Sequence, residues 1–282
     1  MNRIAALALV LTAMASPRAE ATGHGPVYGL ATPTLGKGGW SLDVSVMDRE
    51  VNDTSSAMLR PLLSYGITED LQASVSLPMP LYMPSGLPSA RMMAMMPSSK
   101  DVELLLGWRF HRRGSAVGTR VESTAYVGFD YPVDFVRAGV RTAPGLYGSV
   151  VTGYASRSFY VWGGGLYRRY MGTPGAAAER PGDVGLYSLV VGYRPTAFRK
   201  ELPHADWRVF VEALGEHVGK DHLAGAPLPN TGGRQFFVGP TVLGLYGSWG
   251  ISGGPLFRVA GRPNGPAKGD RVRMVVNYTY WF

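Results

Sequence analysis

From Trp40 onward, apolar residues recur at every second position in segments of about ten residues, divided by turn-rich stretches. "WSLDVSV" (40–46) sets Trp40, Leu42, Val44 and Val46 against Ser41, Asp43 and Ser45. "LRPLLSYGI" (59–67) alternates through Leu59, Pro61, Leu63, Tyr65 and Ile67, and "LQASVSLP" (71–78) through Leu71, Ala73, Val75 and Leu77. "DVELLLGWRF" (101–110) and "RVESTAYVGFD" (120–130) continue the pattern, with Glu103, Arg109, Arg120, Glu122 and Asp130 on their polar faces. Further strands are expected at 144–154, 157–168, 184–194, 206–217, 234–245, 248–259 and 270–282. The segment 157–168 is apolar on both faces. In 206–217, Trp207, Val209, Val211 and Ala213 alternate with Arg208, Glu212 and Glu216. The count is about twelve, an even number, as closed bacterial barrels require.

The connections test closure. With both termini at one end, the turns at 68–70, 155–157 and 246–247 are short. The connections expected at the other end, 78–100, 131–143, 169–183, 218–233 and 260–269, are long and rich in Gly, Pro and Asn. Two depart from the rule: 195–205 is long for its end, and the turn near Asn52 is short for its own. A soluble β-sandwich also alternates, but it packs its apolar faces inward and charges its surface. Here the apolar face is wide, aromatic and repeated on nearly every strand, a patch no water-soluble surface carries. In lipid it is the required surface, and closure leaves no unpaired backbone edge. Trp40, Tyr65, Tyr131, Tyr193, Trp207 and Tyr278 at strand ends are expected to form interfacial girdles. The expected fold is therefore all-β: a transmembrane antiparallel up-and-down barrel of about twelve strands over 39–282.

Residues 1–21 have a basic start (Arg3), an apolar run from Ile4 to Ala15 and small residues at Ala19 and Ala21, the layout of a secretory leader. Cleavage after Ala21 fits this layout, with Ala15 the competing site. The stretch 22–38 is expected as an N-terminal periplasmic segment. The chain holds no cysteine, which excludes disulfides, thiolate metal sites and a lipidated cysteine. Its 38 glycines, 15 tyrosines and 17% charged residues suit the barrel reading. Formal charge is +8, or +7 once Arg3, Arg18 and Glu20 leave with the leader. The basic residues are scattered with no run, so nucleic acid is not an expected partner; outer-membrane lipid and lipopolysaccharide are. The expected location is the cell outer membrane.

The run "PLLSYGITEDLQASVSLP" (61–78) resembles a signature of the outer-membrane protein family named after the meta-pathway of phenol degradation. In it, a strand ending in a Tyr-Gly-Leu/Ile-Thr turn precedes an alternating strand ending Leu-Pro. "GGWSLDVSV" (38–46) resembles that family's first strand, and the likeness could span 28–282. The resemblance implies a transporter barrel admitting small, often aromatic or hydrophobic, compounds, with no catalytic or binding residue to carry over. The closing pattern Tyr278, Tyr280, Phe282 looks like the C-terminal signal read by the outer-membrane assembly machinery, a further expected partner.

Catalytic chemistry is not indicated. None of His24, His111, His204, His217 and His222 sits with a serine and an orienting acid in the pattern a hydrolase needs. No cofactor or metal is expected. The polar face should place Asp43, Glu103, Arg109, Arg120, Glu122, Asp130, Arg208, Glu212, Glu216, Arg271 and Arg273 in the lumen. There they either line a water-filled, porin-like path or pair across a narrow lumen and close it. First and last strands are neighbours, so Asp43 is expected near Arg271 or Arg273. The stretch 78–100 carries Met79, Met83, Met92, Met93, Met95 and Met96, half of the 12 methionines. It can act as a plug, as an adaptable capture surface for a small hydrophobic solute, or as a soft-metal site. The expected function is passive or facilitated passage of small, hydrophobic or aromatic molecules. The alternative is a closed structural or adhesive barrel acting through its external loops.

Overall fold

A strand with one apolar and one polar face needs a different solvent on each side, and a sheet of such strands leaves no open edge only when it closes on itself. The computed structural model is such a sheet. It describes residues 25–51, 54–82, 101–116, 118–133, 136–137, 140–141, 143–172, 180–199, 204–265 and 269–282. Twelve antiparallel staves follow one another in chain order: β1 (Trp40–Val51), β2 (Thr54–Gly66), β3 (Leu71–Ser76), β4 (Asp101–Ala116), β5 (Thr119–Pro132), β6 (Gly145–Ala155), β7 (Phe159–Tyr170), β8 (Val184–Tyr193), β9 (Asp206–Val218), β10 (Gly233–Tyr246), β11 (Trp249–Pro263) and β12 (Val272–Trp281). Each pairs with its sequence neighbour, and β12 returns to β1 in the register Ser41↔Trp281, Asp43↔Thr279, Val46↔Val276. Trp40 and Phe282 exchange backbone hydrogen bonds of 3.0 and 3.1 Å beyond the last paired residues, and their rings stack.

Two irregularities have local causes. Pro78 interrupts β3, and the chain continues as Met79–Tyr82 against β2. Between β10 and β11 the paired positions stop at Val238↔Phe257 and resume at Val242↔Gly253. Pro240 and Pro255 fall in this interval and have no N–H to give the ladder. In the same interval Gly254 and Pro255 keep their register with Val275 and Met274 of β12.

The outward face is the expected apolar one. Leu104, Val127, Leu189 and Val211 are more than half exposed, and Trp40, Tyr193, Trp207, Tyr246, Trp249 and Tyr278 ring the end that carries Trp40 and Phe282. Apart from 195–205, the turns at that end are short, and the other longer connections lie at the opposite end, called here the loop end. The long 195–205 connection includes a single 3₁₀ turn, Thr196–Phe198.

If the outward band meets lipid, Leu189→Arg at the middle of β8 should destabilise the barrel by about 2–4 kcal/mol in vesicles. Urea titration of the refolded protein in phosphatidylcholine vesicles checks this. An exposed leucine on a water-facing sheet would tolerate the same change within about 0.5 kcal/mol.

Candidate functional site: the barrel interior

Residues 25–36 are not outside the barrel. The segment 22–38, expected to be periplasmic, runs for these described residues through the lumen. Tyr28, Thr32, Thr34 and Leu35 are buried there. The reason lies in Glu212 of β9, an inward carboxylate with no arginine or lysine partner among the described residues. It accepts hydrogen bonds from three successive backbone N–H groups, Val27 (2.7 Å), Tyr28 (2.8 Å) and Gly29 (2.7 Å), and from the Thr241 hydroxyl. Consecutive amides converging on one anion form a nest, and bonds to an ionised acceptor are stronger than neutral ones. Gly29 is required by the close approach: a Cβ would lie 2.3 Å from Val190.

Further contacts fix the segment along its length. The Tyr28 hydroxyl donates to the Gly254 carbonyl of β11 at 2.7 Å, with the Arg273 carbonyl of β12 at 3.2 Å. The Leu30 N–H donates to Ser188, and the Leu35 N–H to Gln72. The Ala31 and Thr32 carbonyls accept from Tyr126 and Thr124, and Trp162 donates to the Thr32 hydroxyl. This explains why β7 is apolar on both faces: its outer face is exposed, while Tyr160, Trp162 and Leu166 pack inward with the segment.

The wall is layered. Nine staves each point one large apolar residue inward, and these meet around Tyr28: Met47, Met58, Tyr147, Leu166, Leu186, Leu214, Phe237, Leu256 and Val275. One inward step toward the loop end, the same staves present Arg49, Arg168, Glu216, Arg258 and Arg273. One step the other way they present Ser45, Ser149, Gly164, Ser188, Glu212, Gly239, Gly254 and Asn277, with Arg60 on β2 the one large exception. Small and polar residues in this last layer leave the room that the segment occupies.

The loop-end layer consists of buried ion pairs. Arg273 grips Glu216 through two bonds (2.6 and 2.8 Å), bonds Asp270 at 2.7 Å and lies over the Phe237 ring. Arg49 reaches Asp270 at 3.7 Å. Across the lumen, Arg168 pairs with Asp130 at 3.1 Å and covers Tyr147. Glu103 accepts from Arg60 and, at 2.7 Å, from the Tyr147 hydroxyl. Nearer the other end, Arg109 joins Asp70 (2.8 Å) to Glu122 (3.1 Å), and half-buried Arg120 adds to Glu122. Arg208 pairs with Asp206 rather than across the lumen.

The expected polar ladder thus points inward at Asp43, Glu103, Arg109, Arg120, Glu122, Asp130, Arg208, Glu212, Glu216 and Arg273. Arg271 is a correction. It precedes β12, is exposed, and meets Glu50 at the rim at 3.5 Å. The expected approach of Asp43 to Arg271 or Arg273 is also corrected by register. Asp43 lies opposite Thr279, whose hydroxyl it accepts together with weaker donors Asn277 (3.4 Å) and Ser41 (3.5 Å). The ladder missed Arg49, Arg60, Arg168 and Asp270. Arg49 and Arg60 shared the polar parity of their strands and were readable from it.

Space remains beside the segment. A cavity of about 300 Å³ lies between Leu30, Ala31 and Pro33 and the wall of β12, β1, β2, β3 and β4. On the wall it meets Asp43, Ser45, Ser64, Ser74, Asn277 and Thr279, with Leu62, Leu105 and Met47 alongside. Arg60 and Glu103 close it toward the loop end.

The remaining candidates sit elsewhere. Met79 is exposed on the extension of β3; Met83, Met92, Met93, Met95 and Met96 fall outside the described residues, as does His24. Tyr278, Tyr280 and Phe282 follow the outward parity of β12, and His217 faces outward from β9. Among the described residues, no three of His, Asp and Glu gather as a metal site.

No family model matches the chain, and no curated protein matches it in sequence. Solved structures match it in shape. An outer membrane channel from Pseudomonas putida F1 superposes with a TM-score of 0.61, over 92% of this chain and 100% of that one, at 14% identity. The likeness is one of fold. LpxR from Salmonella typhimurium (TM-score 0.42, 12% identity, 86% of this chain and 100% of that) and OccK11 from Pseudomonas aeruginosa (0.38, 12%, 89% and 100%) superpose too loosely to add to it.

Replacing Glu212 by Gln should loosen the segment, since several charge-assisted bonds weaken by a combined ~2 kcal/mol or more. The chain has no cysteine, so Leu30→Cys supplies one reporter thiol. Its labelling by a water-soluble maleimide should be slow in the parent and about tenfold faster or more with Glu212→Gln. Equal rates would show that Glu212 does not hold the segment.

Proposed function

We propose that this barrel resides in the outer membrane and passes small molecules, with its own N-terminal segment as the element that closes the path. The observation that carries the reading is a lumen too wide for wall side chains alone. Its volume is divided between the N-terminal chain segment and a cavity of about 300 Å³. Twelve staves enclose more space than an eight-stranded barrel that its side chains just fill, and less than a porin. The apolar ring around Tyr28 is a constriction of the kind that stops water and ions by dewetting. Withdrawal of residues 25–36 removes Tyr28 from its centre and joins the cavity to the rest of the lumen.

The lining bears on the solute. One side of the cavity is made of hydroxyls, an amide and the Asp43 carboxylate, the other of Leu30, Leu35 and Pro33. It suits small molecules with an apolar face and hydrogen-bonding groups, such as phenolic or other hydroxylated aromatics. The resemblance of 61–78 to the phenol-pathway family points to the same class. The reading is non-enzymatic. The closed structural barrel is the second reading, favoured by the complete pairing of Arg273, Glu216 and Asp270 across the loop-end layer.

The two readings separate in planar bilayers and in liposome swelling with a hydroxylated aromatic as solute. The refolded mature chain should show small or intermittent conductance. The chain starting at residue 37 should show conductance several-fold larger and swell liposomes faster. No conductance and no solute entry in either form would overturn passage and leave the closed barrel.

A further inference from the structure

A row of two arginines and a histidine crosses the outward face of three adjacent staves at the loop end. His217 of β9 lies opposite Arg234 of β10, and Arg234 lies opposite Arg262 of β11. All three are exposed. Parity confirms their direction. Arg234 shares the outward face of Phe236 and Val238, His217 that of Val209 and Val211, and Arg262 that of Ala260, which faces Phe236. The row therefore sits at the upper border of the apolar band.

Among the described residues, no acid balances it. Neither Arg234 nor Arg262 forms an ion pair among the described residues. The contact Arg234 does make is a donation from its Nε to His217 Nδ1 at 3.1 Å, and this leaves its terminal guanidinium nitrogens unpaired. With Nδ1 accepting, a neutral His217 carries its proton on Nε2 and is a further donor. Like charges directly opposite on neighbouring strands repel and destabilise the pair unless an anion lies between them. Elsewhere on the rim the balance differs: outward Asp48 and Glu50 stand on β1, where Glu50 meets Arg271. Among the described residues, β9–β11 is thus an arc where two arginines stand side by side with no acid paired to either. Directly beneath it, Tyr187 stacks on Phe236, and exposed Phe257 and Val259 extend the apolar surface.

We propose that Arg234, Arg262 and His217 form a binding site for the phosphate of an outer-leaflet glycolipid, whose acyl chains lie along Tyr187, Phe236 and Val259. Two guanidinium forks on one phosphate supply paired charge-assisted bonds, and the apolar surface below suits a lipid better than a soluble phosphate. The proposal rests on the reading of the outward band as lipid-facing.

The test uses the refolded full barrel in zwitterionic detergent. It is titrated with lipid A and with the same lipid stripped of its phosphates, and binding is read by native mass spectrometry. The phosphorylated form should bind about tenfold tighter or more. Arg234→Gln with Arg262→Gln should erase that difference. Arg234→Lys with Arg262→Lys should keep most of it, and Arg157→Gln, in the turn at the opposite end, should leave it whole. Millimolar inorganic phosphate should compete only weakly. Equal binding of the two lipids by the parent, or unchanged preference in the double glutamine variant, would overturn the site. Complete displacement by inorganic phosphate would overturn the lipid assignment. The heat-dependent gel shift of folded barrels reports folding of each variant, and the single Arg262→Gln change replaces the double one should that not fold. Failure of the parent to insert into vesicles would instead overturn the lipid-facing reading itself.

Discussion

Closure of β12 on β1 is the constraint from which the rest follows. The ladder from Ser41↔Trp281 to Glu50↔Val272 removes the sheet's edges and fixes the stave number at twelve. That number fixes the lumen's width, and the width exceeds what inward side chains can fill. An interior of this size must take in water, a solute or more chain. This barrel takes in its own N-terminal segment along one side and leaves a cavity along the other. The inward residues are graded to suit. Large apolar residues meet where Tyr28 fills the centre, small and polar ones lie where the segment runs, and arginine–carboxylate pairs lie beyond.

The wall was legible in the sequence because its signal is local. Period-two alternation, short turns against long ones and the aromatic strand ends are all read from residues adjacent in the chain. The even count and the inward direction of ten of the eleven ladder residues followed from parity alone. Arg271 failed because parity says nothing of where a strand ends: two residues before Arg273, it lies outside β12 and at the rim. Arg49 continues the parity of Asp43 and needed only a longer strand, while Arg60 lies within the expected strand 59–67 and shares the parity of Ser64. Arg168 was hidden because β7 is apolar on both faces, the very feature that marks its contact with the segment.

The lumen's contents were not legible, for the same physical reason. The segment around "PVYGLATPTLG" has no periodicity because its backbone bonds go to side chains of distant staves rather than to a ladder. Its partners lie up to 245 residues away in Tyr28–Arg273, 226 in Tyr28–Gly254 and 185 in Val27–Glu212. One clue was present. Glu212 faces inward with no cation in reach, and a buried carboxylate without donors is too costly to persist. An acid whose strand neighbours are Ala213 and Val211, with Glu216 already committed to an arginine, asks where its donors come from. Three amides of the N-terminal segment are the answer, and only the folded barrel supplies it.

The two polar regions of the interior differ in what breaking them would leave behind. Separating Arg273 from Glu216 and Asp270 strands opposite charges in a space walled by Phe237 and Leu214, and removing one partner of such a buried pair costs about 3–5 kcal/mol. Releasing the segment from Glu212 is different in kind. The amides it frees belong to a chain that leaves for water, and Glu212 keeps Thr241 while water enters the volume the segment gave up. Tyr28 leaves the Gly254 and Arg273 carbonyls, and its departure breaks no strand-to-strand bond. The polar contacts that can be undone without orphaning a charge are therefore concentrated on residues 27–35, and those that cannot are built into the staves. An interior divided in this way keeps its wall rigid and allows its contents to move. Passage through the barrel would require both properties of a lumen already filled by its own chain.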